Sequence, residues 1–184
     1  MPDTVRTLAA LQALLADNVA GDISAQDVRD FLVSVYPTEV GVQVKRTAGQ
    51  SINTGTETAI NFTAENFDTD GFHDNAVNNE RLTVPAGLGG VYLVSAQVGW
   101  STSTIARYTA RLYKNGSTFA TMVGYVDMDD LVAIGQQVMA IIPMDATDFI
   151  GLYVFHDNGV ATDTTFSSDL STSMTMYRIA GSGV

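Results

Sequence analysis

Cysteine is absent from the 184-residue sequence, which removes disulfides, zinc–thiolate centres and cysteine nucleophiles together. Histidine is almost absent: His73 and His156 are the only two, too few for a metal centre built from clustered imidazoles. Positive charge is scarce, with 9 Lys and Arg against 20 Asp and Glu and a net charge of −11. A polyanion would be repelled, so nucleic acid is not an expected partner. No apolar run approaches the roughly 20 residues that span a bilayer, so no membrane insertion is expected. The first residues lack a basic stretch followed by an unbroken apolar one, and we do not read them as a secretory signal. A Gly-x-Ser-x-Gly elbow, a Walker motif and a dinucleotide glycine motif are all missing. No enzymatic activity and no catalytic metal are expected.

What is present suffices for a packed core: 46% of residues are apolar and only 16% charged, unlike a disordered chain. We divide the chain into a helical attachment segment, residues 1–37, and a β-sandwich domain, residues 38–184. In the first segment Val5, Leu8, Leu11 and Leu15 fall at helical spacing, and Asn18 and Gly21 supply a stop. Ser24 with Asp27 forms a capping-box-like start, Asp standing for the usual Glu or Gln. Val28, Phe31, Leu32 and Val35 make the apolar stripe of a second helix that Pro37 ends. Helices of about three turns are marginal alone. Leu8, Leu11, Leu15, Phe31 and Leu32 are therefore the candidate docking residues, against the chain's own domain, between the two helices, or against a larger assembly.

Beyond Pro37 the apolar period becomes two. Tyr92, Val94, Ala96, Val98 and Trp100 alternate with Ser95, Gln97 and Gly99, and Ala106, Tyr108, Ala110 and Leu112 alternate with Arg107, Thr109 and Arg111. Trp100 is in phase with the core set. Asn115-Gly116 and Asn158-Gly159 are turn signals. Further strands are expected at 42–46, 57–63, 81–84, 118–126, 131–142, 148–156 and 172–180. About nine or ten short strands without intervening helices make a β-sandwich or jelly roll. Segments 131–142 and 149–155 are apolar at both parities, whereas an antiparallel sandwich strand normally shows water one face. Their outer faces need cover from the N-terminal helices or from another copy of the chain. Self-association is expected, through Leu131, Ile134, Met139, Ile141, Phe149, Tyr153 and Phe155.

Two loops concentrate acid: Asp68, Asp70 and Asp74, and Asp127, Asp129 and Asp130. Hard oxygen ligands suit calcium, but neither loop matches an EF-hand. The plainer reading is solvated turns, and no cofactor is expected, calcium being the one ion the loops would suit. The polar stretches 101–104 and 161–165 are read as loops and as the best places for a host contact, and Phe72 and Phe166 are the only obvious loop aromatics in the chain that would favour recognition. Arg107 and Arg111 either face water or pair with acidic neighbours across an assembly.

The strand series resembles the C1q/TNF-like jelly roll over roughly residues 40–180. The likeness is carried by Asn61-Phe62 and Phe67-Asp68, then by Leu82-Thr83-Val84-Pro85-Ala86-Gly87 leading through Gly90 to Tyr92. It continues in Arg111-Leu112-Tyr113-Lys114-Asn115-Gly116, in Asp148-Phe149-Ile150-Gly151-Leu152-Tyr153-Val154, and in 173–179. Leu82 stands where the family has Phe, Leu88-Gly89 is an insertion, and no collagen-like stalk precedes the domain, unlike complement-type or hormone-type secreted proteins. The resemblance implies an all-β fold and a tight homotrimer packed through apolar faces. Residues 14–31 are similar to adapter segments at the front of bacteriophage fibre and other virion proteins. Together the two resemblances imply a virion surface protein assembled in the host cytoplasm. It would be a trimeric capsid decoration or head-fibre protein docked on the major capsid or another virion protein. The alternative is the tip of a tail fibre or spike that binds a host surface glycan or protein.

Overall fold

The computed structural model describes residues 10, 13, 24–35, 39–101, 106–126, 134–166 and 171–181, with backbone alone at 33–35, 120–126 and 134. The chain divides into two compact units, Met1–Glu39 and Val40–Ser182. In the first, helix α1 (Ala25–Val35) starts as its sequence dictates. The Asp27 N–H donates to Ser24 Oγ at 3.2 Å, and the Ser24 N–H donates to Asp27 Oδ2 at 2.8 Å. This is the reciprocal capping box, closed by the shorter Asp.

The second unit carries twelve described strands. The first six are β1 (Gly41–Lys45), β2 (Ser51–Ile52), β3 (Thr58–Ala59), β4 (Ala64–Asp68), β5 (Arg81–Thr83) and β6 (Gly90–Trp100). The rest are β7 (Ala106–Lys114), β8 (Ser117–Val126), β9 (Ile134–Met144), β10 (Phe149–His156), β11 (Thr162–Asp163) and β12 (Ser173–Gly181). One sheet runs β4-β1-β12-β6-β9, and the other β3-β10-β7-β8, with β5 also on β10. Successive long strands cross between the sheets, except at the β7–β8 hairpin, which turns through Asn115 (φ 50°) and Gly116 (φ 78°). A positive φ at both central residues matches the twist of the flanking strands.

The alternating residues meet between the sheets. Tyr92, Val94, Trp100, Tyr108, Leu112, Ile142, Ile150, Leu152, Met174 and Met176 are all fully buried. Trp100 anchors one end, its ring 5.2 Å from Tyr108 and 5.3 Å from His156. Its indole N–H donates to Gln136 Oε1 at 3.2 Å, and the Gln136 amide donates to the Tyr108 carbonyl at 2.8 Å. That amide satisfies two polar groups that burial would otherwise leave costly. His156 donates from Nε2 to the Ile52 carbonyl at 2.9 Å. Gly90 is needed where β6 begins: a Cβ there would stand 2.2 Å from the Ala180 carbonyl oxygen.

Sequence reading differs from the structure at the short elements. The expected strand 57–63 reduces to Thr58–Ala59, and pairing resumes at Ala64–Asp68 as an edge strand. The stretch 161–165 is not loop: Thr162 and Asp163 pair with Ile52 and Ser51, and Thr162 and Thr164 are buried. Two-residue pairings carry no periodicity, so alternation cannot reveal them. Residues 102–105 and 127–130 lie outside the described residues, with the second acidic loop among them.

Candidate functional site

The residues expected at a self-association surface are divided by the structure between two opposite outer faces. Leu131 lies outside the described residues, and Ile134 begins β9. Met139 and Ile141 alternate with buried Val138 and Ile142 and stand 63% and 61% exposed. In register across the sheet, Tyr177 of β12 faces Leu93 of β6, which faces Ile141; Ser95 faces Met139, and Val91 faces Pro143. The Tyr177 ring lies against Gly41 of β1. Ile179, at the bulge between Arg178 and Ala180, is 51% exposed. The result is a largely apolar band over β12, β6 and β9, facing away from the core.

Phe149, Tyr153 and Phe155 stand on the other sheet's outer face, where each is half-buried by its own chain. The Arg81 guanidinium lies 4.5 Å over the Phe149 ring, and that of Arg107 4.6 Å over Phe155. Tyr113 stacks on Tyr153 at 4.1 Å with 29° between planes. Glu57 ties this row together, accepting from Arg111 and, at 2.5 Å, from the Tyr113 hydroxyl. Burial first, then the nearby Glu80, Tyr113 and Glu57, pushes the Tyr153 hydroxyl above its ordinary pKa. Arg107 also pairs with Asp157 at 3.3 Å. Both arginines thus find acidic partners within the chain, and β10 takes its cover from neighbouring strands.

Leu93, Tyr177 and Ile179 escaped sequence reading, although the signal was there. Val91 and Leu93 share the odd parity that Ser95 and Gln97 made look polar. The arginine–aromatic pairs carried no sequence signal, since their partners are up to 68 positions apart.

The hairpin turn and the start of β10 form one latch. Asn115 donates to Asp148 Oδ1 at 2.7 Å and accepts from the Phe149 N–H at 2.9 Å. Lys114 Nζ lies 2.9 Å from Asp148 Oδ2. The Asn115 amide, the Asp145 N–H and Lys114 together hold the Asp148 carboxyl down to a pKa of about 2.

The acidic loop is occupied by its own backbone. Asp68 Oδ1 accepts from the N–H groups of Asp70, Gly71 and Phe72, and Oδ2 from that of His73, at 2.9–3.2 Å. Asp74 Oδ1 caps Ala76 and Val77, and these bonds lower its pKa. No group of three metal-ligating side chains occurs among the described residues. His73 is buried between the Glu65 carboxylate at 3.0 Å and the Asn79 carbonyl at 3.2 Å, both acceptors. Of the two candidate recognition aromatics, Phe72 is in the core at 2% exposure, which corrects its reading as a loop platform; Phe166 is 56% exposed. Leu8, Leu11 and Leu15 lie outside the described residues, whereas Phe31 and Leu32 are exposed with Val28 on α1.

Two antiparallel sheets in this order, with strands crossing between them, make an all-β sandwich of the C1q/TNF type, preceded by one short described helix. The particular likenesses are distant in sequence and broad in structure. The globular domain of zebrafish complement 1qA protein superposes with a TM-score of 0.56 at 11% identity, covering 77% of this chain and 98% of that one. Eiger TNF from S. frugiperda gives 0.59 at 12% identity, covering 80% and 97%. Murine APRIL gives 0.57 at 11%, covering 77% and 100%. No protein-family model matches the chain, and no curated protein matches it in sequence.

Proposed function

We propose that the chain is a self-associating surface module: a homotrimer that sits on a virion as a capsid decoration or head-fibre protein, held through residues 1–37. The observation that carries the trimer is the apolar band of Leu93, Met139, Ile141, Tyr177 and Ile179. Met139, Ile141 and Ile179 are each more than half exposed, with the partly exposed Leu93 and Tyr177 beside them; such a strip marks a protein contact, because monomers seldom expose large apolar patches. The C1q/TNF-type fold supports a closed assembly through this face, and three copies around an axis would remove it from water. Attachment is supported by the exposed Val28, Phe31 and Leu32 on α1 and by the likeness of residues 14–31 to virion adapters. A module that binds only the assembled shell stabilises it by mass action.

Sedimentation equilibrium at micromolar concentration tests the assembly: a trimer mass is expected, and a lone protomer overturns the reading. Electron microscopy of purified particles tests the placement. Many threefold copies over the shell are expected, and a few copies at a tail would instead favour the receptor-binding alternative.

A further inference from the structure

We propose that the cavity beside β5 binds an acidic sugar, with Arg81 holding its carboxylate. The inference stands on a single protomer and is independent of how the chain assembles. Among the described arginines, Arg29, Arg46, Arg107, Arg111 and Arg178 each reach an oxygen of the chain. Arg81 reaches none. Its guanidinium is steadied by the Phe149 ring 4.5 Å away, a contact that uses no hydrogen-bond donor, while its Nε is buried and unpaired. A buried charged donor without an acceptor is costly, and a bound carboxylate would satisfy it with fork-shaped geometry.

Arg81 lines a cavity of about 310 Å³ with Asp74, Val77, Asn78, Thr83 and the segment 71–73. That volume is at the small end of the roughly 300–1,000 Å³ usual for ligand sites, room for one sugar ring rather than a chain. The other polar groups define the rest of the ligand. Asp74 spends Oδ1 on the N–H groups of Ala76 and Val77, so Oδ2 remains as an acceptor. The side chains of Asn78 and Thr83 make no hydrogen bond among the described residues. A simple anion would satisfy Arg81 but meet the Asp74 carboxylate with nothing to donate. A neutral sugar would satisfy Asp74 and leave Arg81 unpaired. One carboxylate with several hydroxyls on a single ring matches both, which is the chemistry of a hexuronic acid.

Saturation-transfer NMR on the full chain, with D-glucuronate as the probe and D-glucose and acetate as comparators, tests the site. Saturable transfer from glucuronate is expected, with both comparators at least about tenfold weaker. Arg81→Gln should weaken glucuronate binding by at least about tenfold in a chain that still folds, with only the small loss of stability that removing its contact over Phe149 entails. Should that variant fail to fold, Asn78→Gly is the substitute. It removes the amide while suiting the positive φ of 53° at this position, and should weaken binding several-fold. No saturable transfer from glucuronate, equal binding of acetate, or unchanged binding in the folded variant would each overturn the proposal, whatever the oligomeric state.

Discussion

The two outer faces of the sandwich solve the same problem in different ways. On the β3-β10-β7 face, large aromatics are capped by arginines and a tyrosine from adjacent strands, and Glu57 pairs with Arg111 and accepts from the Tyr113 hydroxyl. On the β12-β6-β9 face, aliphatic side chains stand uncapped. Aromatic faces attract guanidinium groups, so a charged residue can cover them and remain wetted. Aliphatic side chains have no such partner and are hidden only by other apolar surface. On the proposed reading, one face serves the stability of the protomer and the other its association.

The largest effect should come from charging the bare face. Met139→Glu with Ile141→Glu removes two apolar contacts, each worth about 1.5–3 kcal/mol when fully buried. Sedimentation should show association weakened by a hundredfold or more, with the far-UV spectrum unchanged. If the doubly charged variant still sediments as the wild type does, the bare face is not the contact. The capped face should respond in the opposite way. A double-mutant cycle on Tyr113→Ala and Tyr153→Ala should give a coupling of about 1 kcal/mol in urea unfolding, with association unaltered. A coupling near zero would mean the stack follows from packing without contributing to it.

A smaller loss, about 0–1 kcal/mol, is expected for Arg107→Gln, since its pair with Asp157 is solvent-exposed on both sides. The latch at the end of the capped face adds a pH dependence. Asp148 has a folded-state pKa of about 2, below its ordinary value near 3.8. Its contribution is therefore present in full above about pH 4 and is lost as pH falls toward 2. An acid titration of the Asp148→Asn variant should be flatter than that of the wild type across this window. Parallel curves would remove Asp148 from the latch.

Much of this fold was legible in the chain. Period-two alternation marked β6 and β7 and put Trp100, Tyr108 and Leu112 in the core, and Asn115-Gly116 marked the hairpin. Ser24 and Asp27 declared the cap of α1 before its geometry was known. The candidate surface was legible only in part. Met139 and Ile141 were found because β9 is apolar at both parities, and the same test selected Phe149, Tyr153 and Phe155, which lie on the opposite face. Parity tells that a side chain points away from the core; it does not tell which sheet the strand joins or what stands beside it. Phe72 illustrates the reverse error, a loop aromatic that the Asp68-centred turn carries into the core.

By itself the sequence determined the class of fold, the strand alternation, the acidic surface and the absence of thiol and clustered-histidine chemistry, because these depend on composition and near-neighbour spacing. Tertiary structure alone decided which apolar side chains are capped, which remain bare, and that Arg81 faces a cavity without a partner. Those outcomes turn on residues far apart in sequence meeting across strands, and local pattern carries no record of such meetings.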